Sequence, residues 1–401
     1  MRHTLFSLLL LLPISAAAQI ETSSATPAIL QRLNDLEDRL GKIEGAPAKT
    51  SISAFNPAMG MALDFAYTHG PADKAGFQFR TAELNVESPI DPFVKGWAVI
   101  TGSNDKVHPV DVEEAALQTT ALPCNLTVTG GRMFASFGRL VHFHDHELPV
   151  TDRPNSINNF VGGESRADGV EVSYLFPTDA YINAIAGMYD KIGADNLRQD
   201  PSGSRPLYEF TYLGRLSTYE DIGDNHSVEL GVDSAWTPES DVAQGPNGTS
   251  EGIARQNGTG RTLNGLDFTY RYQPAQGGLY RGVIWGTEVV QNNERRFDPT
   301  AANLTGTDRV NAYAGYSYIQ VKMGPHWRPG VMGDLTEDLD HARQLTKTYS
   351  AFLTYDVSEF QRLRVVYSHR MDNIPGARGA DIVSLQWTGV MGHHVHGFRD
   401  R

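Results

Sequence analysis

From about residue 58 onward the chain repeats one unit: a run of roughly ten residues in which apolar and polar positions alternate, then a connector. Ala82, Leu84 and Val86 alternate with Glu83, Asn85 and Glu87. Val228, Leu230, Val232 and Trp236 alternate with Glu229, Gly231 and Asp233. The same holds for Leu266, Phe268 and Tyr270 against Asp267, Thr269 and Arg271, and for Leu363, Val365 and Tyr367 against Arg362, Arg364 and Arg370. A period of two places these sets on opposite faces of a β-strand. The connectors alternate in length. Short ones, such as 88–92, 122–125, 177–180, 221–226, 273–278, 323–326 and 358–361, are interleaved with longer polar segments around 70–76, 102–109, 139–168, 191–205, 238–261, 291–308, 334–346 and 372–379.

This pattern predicts about 16 strands. They fall at 58–69, 77–88, 93–102, 110–121, 125–137, 169–177, 181–190, 206–220, 226–237, 262–273, 279–291, 309–322, 327–335, 346–357, 361–371 and 380–391. A soluble sandwich also alternates, with its polar face outward. Two features favour an all-β transmembrane antiparallel barrel. The apolar faces repeatedly end in Tyr, Phe or Trp, as an interfacial girdle requires, and the short–long alternation persists along the whole chain. An even strand count puts both termini on the periplasmic side, and a barrel of this size encloses an aqueous channel.

Composition narrows the context. Arg2, the apolar run Leu5 to Leu12 and the small residues Ala16, Ala17 and Ala18 before Gln19 read as a signal peptide (1–18) cleaved after Ala18. The single cysteine, Cys124, excludes an internal disulfide framework. The net charge of -13 argues against a nucleic-acid partner. Residues 19–50 read as a periplasmic linker with a short coiled coil, and 51–401 as the barrel. Ile29, Leu33, Leu36, Leu40 and Ile43 repeat at heptad spacing within 29–43. About two heptads are too short to be stable alone, so this stub either rests on the barrel mouth as a solvated amphipathic helix or, the reading preferred, associates into a homotrimer with help from barrel contacts.

The segment richest in chemistry follows the fifth strand. His142, His144, Asp145, His146 and Glu147 place five metal-ligating side chains within six residues. Imidazole with carboxylate suits zinc and similar ions, and in an extended segment the three histidines would share one face. The competing reading is structural: histidines that line the pore, with Asp152 and Arg153 as an ion pair pinning the loop. Charges on the expected lumen faces are mixed. The candidates for lining the pore are Glu83, Glu229, Asp233, Asp267, Arg271, Arg362, Arg364 and Arg370, beside Glu87, Glu288 and Arg215. They fit a wall of compensating pairs better than an anion-attracting ladder at Arg362, Arg364 and Arg370. A second histidine cluster, His393, His394 and His396 before Phe398, fits a terminal aromatic assembly signal. No phosphate loop or nucleophile elbow is present, since Gly162, Gly163, Glu164 and Ser165 lack the required frame. No enzyme activity is expected.

The stretch Gly138 to Pro177 resembles a signature of uncharacterised bacterial outer-membrane barrels, often labelled zinc-regulated TonB-dependent outer-membrane receptors and placed near phosphate-selective porins. Its parts here are Gly138-Arg139, the histidines 142, 144 and 146, Leu148-Pro149, Asp152-Arg153-Pro154, Phe160 to Glu164, and Gly169 to Pro177. The resemblance implies an outer-membrane barrel of a Gram-negative bacterium with a metal-linked role for those histidines. A receptor of the TonB-dependent kind carries a separate N-terminal plug, which residues 19–57 are too few to form. The expectation is therefore a porin-like channel, set among outer-membrane lipids, for passive diffusion of small solutes or ions. Its His-rich third outside loop constricts the pore or binds a divalent metal. The alternatives are a metal-binding receptor or uptake protein and a non-conducting structural barrel.

Overall fold

The computed structural model describes residues 57–71, 74–104, 109–192, 207–238, 242–243, 253–254, 260–278, 280–297, 307–339, 344–373 and 378–392. The expected signal peptide (1–18) and coiled coil (29–43), with His393, His394 and His396, lie outside these residues. Sixteen strands close into an antiparallel barrel, each paired with its neighbours in sequence. They are β1 (Ala58–His69), β2 (Ala75–Pro89), β3 (Val94–Gly102), β4 (Val110–Thr119), β5 (Leu126–Phe134), β6 (Arg166–Leu175), β7 (Tyr181–Tyr189), β8 (Thr211–Ile222), β9 (His226–Thr237), β12 (Arg261–Tyr272), β13 (Arg281–Phe297), β14 (Thr307–Met323), β15 (Trp327–Glu337), β16 (Leu345–Ser358), β17 (Gln361–Asp372) and β18 (Ala380–Gly392). The two-residue strands β10 (Val242–Ala243) and β11 (Ile253–Ala254) form a separate ribbon between β9 and β12. Pairing of β1 with β18, from Gly60 with Gly392 to His69 with Val383, closes the wall and leaves no sheet edge.

Burial is inverted relative to a water-soluble protein. Asp64, Glu83, Asp233, Asp267, Glu288 and Arg364 are buried inside. Leu230, Val232, Leu266, Leu363, Val365 and Leu385, on the alternate positions, are exposed outside. A sandwich would place these sets the other way round, so the outer face is built to meet lipid. Exposed aromatics form two girdles. Phe93, Tyr181, Tyr219, Tyr280, Trp327 and Phe360 stand at the short-turn end, and Phe77, Trp236, Tyr313, Tyr349 and Tyr367 toward the other.

The boundaries differ from expectation where the loops begin. β5 ends at Phe134 rather than 137 and β6 starts at Arg166 rather than 169, so the third long connector runs over 135–165. Register explains this: Met133 pairs with Ala167 and Phe134 with Arg166, and a bidentate Arg132–Asp168 contact (2.8 and 3.1 Å) holds that end of the pair together. β8 starts at Thr211, after a 3₁₀ turn at Leu207–Glu209, and β13 runs on to Phe297. The buried apolar cluster lies inside the barrel. Phe137, Leu140, Val141, Leu148, Ile157, Phe160 and Val161 of the connector pack there against Leu263, Val290, Ala312, Tyr316 and Tyr318 of the wall.

Candidate functional site

The connector 135–165 leaves the wall because its first residues find partners inside. The Ser136 backbone N–H and hydroxyl both donate to Glu171 of β6 at 2.9 Å, and Tyr189 of β7 donates to the same carboxylate. Phe137 then packs on Gly265, where a side chain would bring its first carbon to 2.9 Å of the ring. Gly138 turns in the left-handed region (φ +67°). Beyond it the Arg139 and Leu140 amides face Glu288 Oε2 at 3.4 and 3.5 Å, and Tyr316 donates to that oxygen at 3.1 Å. The Arg139 guanidinium donates to Tyr318 Oη at 2.8 Å and lies over the Phe143 ring.

Farther on, the connector is tied to the rest of the wall. Arg80 of β2 donates to Thr151 O and Asp152, both at 2.7 Å. Arg364 of β17 donates to Val150 O at 3.1 Å, and Arg261 of β12 to Phe160 O at 2.7 Å. The short helix α1 (Asn155–Val161) starts with its Asn155 and Ser156 amides on Asp334 of β15, at 3.0 and 3.2 Å. Gly162, at φ +79°, ends it. The segment therefore crosses the lumen and is held on opposite walls. Asp152 and Arg153, expected to pair with each other, do not: they take separate partners. Arg153 donates to Leu140 O and Phe143 O and pairs with Asp145 at 3.1 Å, while Asp152 pairs with Arg80.

The histidines are not on one extended face. Two 3₁₀ turns, Leu140–His142 and Asp145–Glu147, carry His142 and His146, and His144 caps the second in extended backbone. Such a turn rotates each residue by about a third of a circle, so the parity of a strand no longer applies. His144 and His146 stack with ring centroids 5.7 Å apart, buried against β2 and β4. Among the described residues, the group of histidine and acidic side chains whose ligand atoms all lie within 4.8 Å is Glu83, Glu113 and His144. His142, Asp145, His146 and Glu147 fall outside it; Glu147 accepts from the His144 amide at 3.2 Å.

Glu113 and Glu114 were not among the expected site residues. The β3–β4 register shifts between Val99 and Ile100: Val99 pairs with Glu114 and Ile100 with Val112, so Glu113 is the extra residue. The bulge turns two consecutive glutamates inward, 4% and 6% exposed. Two adjacent glutamates interrupting an alternating strand were the available signal. Glu113 accepts from Thr101 at 2.5 Å and Glu114 from Trp97 Nε1 at 2.8 Å. Burial alone lowers the His144 and His146 imidazoles. For His144 the carboxylates of Glu83, Glu113 and Glu147 outweigh it and hold the ring well above its ordinary value, and Glu83 and Glu147 likewise raise His146. Burial, with Glu113 and Asp145 nearby, pushes Glu164 well above the usual carboxyl range.

Above this group, between the connector and the wall, lies a cavity of about 300 Å³. It is lined by Glu83, Asp111, Glu113, Asp145 and Glu164 against Arg80 and Arg166. A second cavity of about 610 Å³, beside Arg132, Asp168, Asp190 and Lys191, shares Asp111 and Arg166 with it. The other expected lumen charges are mostly compensated. Arg215 bridges Asp233 and Asp267 at 2.7 Å each, Arg362 pairs with Asp356 at 2.9 Å, and Arg271 faces Glu229 at 3.4 Å. Arg364 is bound by Thr354, Gln386 and Val150 O. Arg370 does not extend a ladder: it is exposed near the end of β17 and paired with Asp372 at 3.2 Å.

No family model matches the chain. An uncharacterised protein of Aquifex aeolicus is 26% identical over 376 residues, covering 82% of this chain and 76% of that protein. Among solved structures, the anion-selective porin of Comamonas acidovorans gives a TM-score of 0.55 at 10% identity, covering 84% of this chain and 99% of that one. OprB of Pseudomonas putida gives 0.55 at 12%, covering 87% and 97%. The outer membrane channel DcaP of Acinetobacter baumannii gives 0.53 at 12%, covering 84% and 96%. These likenesses lend no support to a TonB-dependent receptor label; they show that the chain has the fold of porin-like outer-membrane barrels.

Proposed function

We propose that the protein is an outer-membrane channel through which small solutes or ions diffuse passively, and that the connector 135–165 forms its constriction. The observation that carries this reading is the crossing of the lumen by that connector, fixed to Glu171, Glu288, Asp334 and Arg364. A barrel of sixteen strands is wide enough to hold water, and a loop laid across it narrows the passage without sealing the wall. Solute then passes beside the connector, by way of the acidic cavity under Arg80 and Arg166. The lumen residues bind and steer; none is assigned a catalytic role. A trimer, as in the trimer form of Vibrio cholerae OmpT, is the expected assembly in the membrane.

Planar-bilayer recording of the refolded full chain tests the reading. Stepwise conductance is expected. Folded protein that inserts without conducting would instead mark a sealed structural barrel, a reading favoured by the tight packing of Phe137, Leu140 and Phe160.

A further inference from the structure

Glu83, Glu113 and His144 come from three places in the chain, β2, β4 and the lumen connector, yet their ligand atoms converge. We propose that Glu83 Oε2, Glu113 Oε2 and His144 Nδ1 bind a divalent transition-metal ion of the zinc type, with water from the outer cavity completing its shell. Two carboxylates and one imidazole form a donor set suited to such ions, whereas magnesium and calcium prefer oxygen alone.

The spacing supports a shared centre. His144 Nδ1 stands 3.4 Å from Glu83 Oε2 and 3.5 Å from Glu113 Oε2. Ligands about 2.0–2.1 Å from a tetrahedral ion lie about 3.3 Å apart. A direct charge-assisted hydrogen bond would draw nitrogen and oxygen to about 2.7–2.9 Å. Both nitrogen–oxygen separations match the ligand spacing of one ion, and the two carboxylate oxygens lie within 4.8 Å of each other.

A second observation is independent of the spacing. Glu83 Oε2 is buried and accepts no hydrogen bond, on a side chain only 3% exposed. A buried carboxylate oxygen without a hydrogen bond is costly, and a metal ion that displaces the His144 proton would contact that oxygen directly. Each ligand is also oriented from behind. His146 Nδ1 lies 3.1 Å from the other Glu83 oxygen, and Thr101 donates to Glu113. Glu114 Oε1 faces the remaining His144 nitrogen at 3.6 Å and is itself held by Trp97. A carboxylate behind a ligating imidazole is the usual outer shell of a zinc site. The cavity of about 300 Å³ reaches Glu83 and Glu113 and gives an ion its path.

The test uses the refolded full chain in detergent, its barrel form verified by heat-shifted gel mobility. Cobalt(II) is added and read by visible absorption, and zinc is then titrated by calorimetry. One cobalt with the intense bands of a low-coordinate N/O site, displaced by one zinc, is expected. Glu83→Gln and Glu113→Gln should each weaken binding by about 100-fold or more, and Glu114→Gln, which acts only through the imidazole, by about 10–100-fold. His142→Gln should leave affinity unchanged. Should a ligand variant fail to fold, the contrast between Glu114→Gln and His142→Gln decides. Unchanged affinity in folded Glu83→Gln or Glu114→Gln would overturn the site, placing any bound ion elsewhere, for example at residues 393–396. So would folded wild-type protein that binds neither ion. These readouts need no conductance, so they stand apart from the channel reading.

Discussion

Gly138 passes so close to the carboxylate of Glu288 that a β-carbon at position 138 would overlap it. The residue is also held at φ +67°, where a side chain costs about 1–3 kcal/mol on its own. Gly138→Ala should therefore push the start of the connector off Glu288 and free it from Tyr316 and Tyr318. The expected outcome is a barrel that still folds but is cleaved by protease within 139–165, with larger and noisier conductance steps than wild type. Wild-type resistance to cleavage would mean that Glu288 yields and the connector stays.

Arg153 and Asp152 are neighbours with opposite roles, and their substitutions should separate. Arg153 is 5% exposed and donates to the carbonyls of Leu140 and Phe143. Arg153→Ala leaves the Phe143 carbonyl without that donor and the Leu140 carbonyl with only the Phe143 amide at 3.2 Å, at about 1–3 kcal/mol for the orphaned group. Asp152 makes a solvent-exposed pair with Arg80, its side chain 67% exposed, so Asp152→Ala should cost no more than about 1 kcal/mol. Urea midpoints of the folded gel form measure both. Equal losses would refute the assignment of Arg153 as the anchor.

The wall was legible in the sequence because a lipid-facing barrel forces every strand to alternate. Leu363, Val365 and Tyr367 against Arg362 and Arg364 is an arrangement written residue by residue. The connectors' short–long rhythm reports which end of the barrel each belongs to. The site was less legible for two physical reasons. The parity that placed His142, His144 and His146 together holds only for extended chain, and the connector forms 3₁₀ turns instead. Its partners, Glu83, Glu288 and Asp334, are brought near by barrel closure and not by sequence proximity. Glu113 and Glu114 left a local trace, a broken alternation, but a bulge and a strand end look alike in sequence.

Arg215 holds two buried carboxylates, Asp233 and Asp267, at 2.7 Å each. Removing the guanidinium leaves both without their counter-charge inside the barrel. Arg215→Leu should destabilise the fold by about 3–5 kcal/mol, the usual cost of breaking a buried pair from one side. Adding Asp233→Asn and Asp267→Asn should restore most of that loss, because neutral amides need no counter-charge. A triple variant no more stable than Arg215→Leu would show that packing of the arginine stem matters more than its charge.

The acidic outer cavity makes a statement about selectivity that conductance can check. Glu83, Asp111, Glu113 and Asp145 outnumber Arg80 and Arg166 around it, with Glu164 held toward its neutral form by burial. Asp111 and Asp145 are half-exposed, 46% and 47%, so both meet passing ions. If solute passes this way, the wild-type channel should favour cations, and Asp111→Asn with Asp145→Asn should shift its reversal potential in a KCl gradient toward anions. The shift should be large in dilute salt and fade near 1 M, where screening shortens to about 3 Å. An unchanged reversal potential in dilute salt would place the permeation path elsewhere, past Arg328, Arg362 and Arg364 on the other face of the connector.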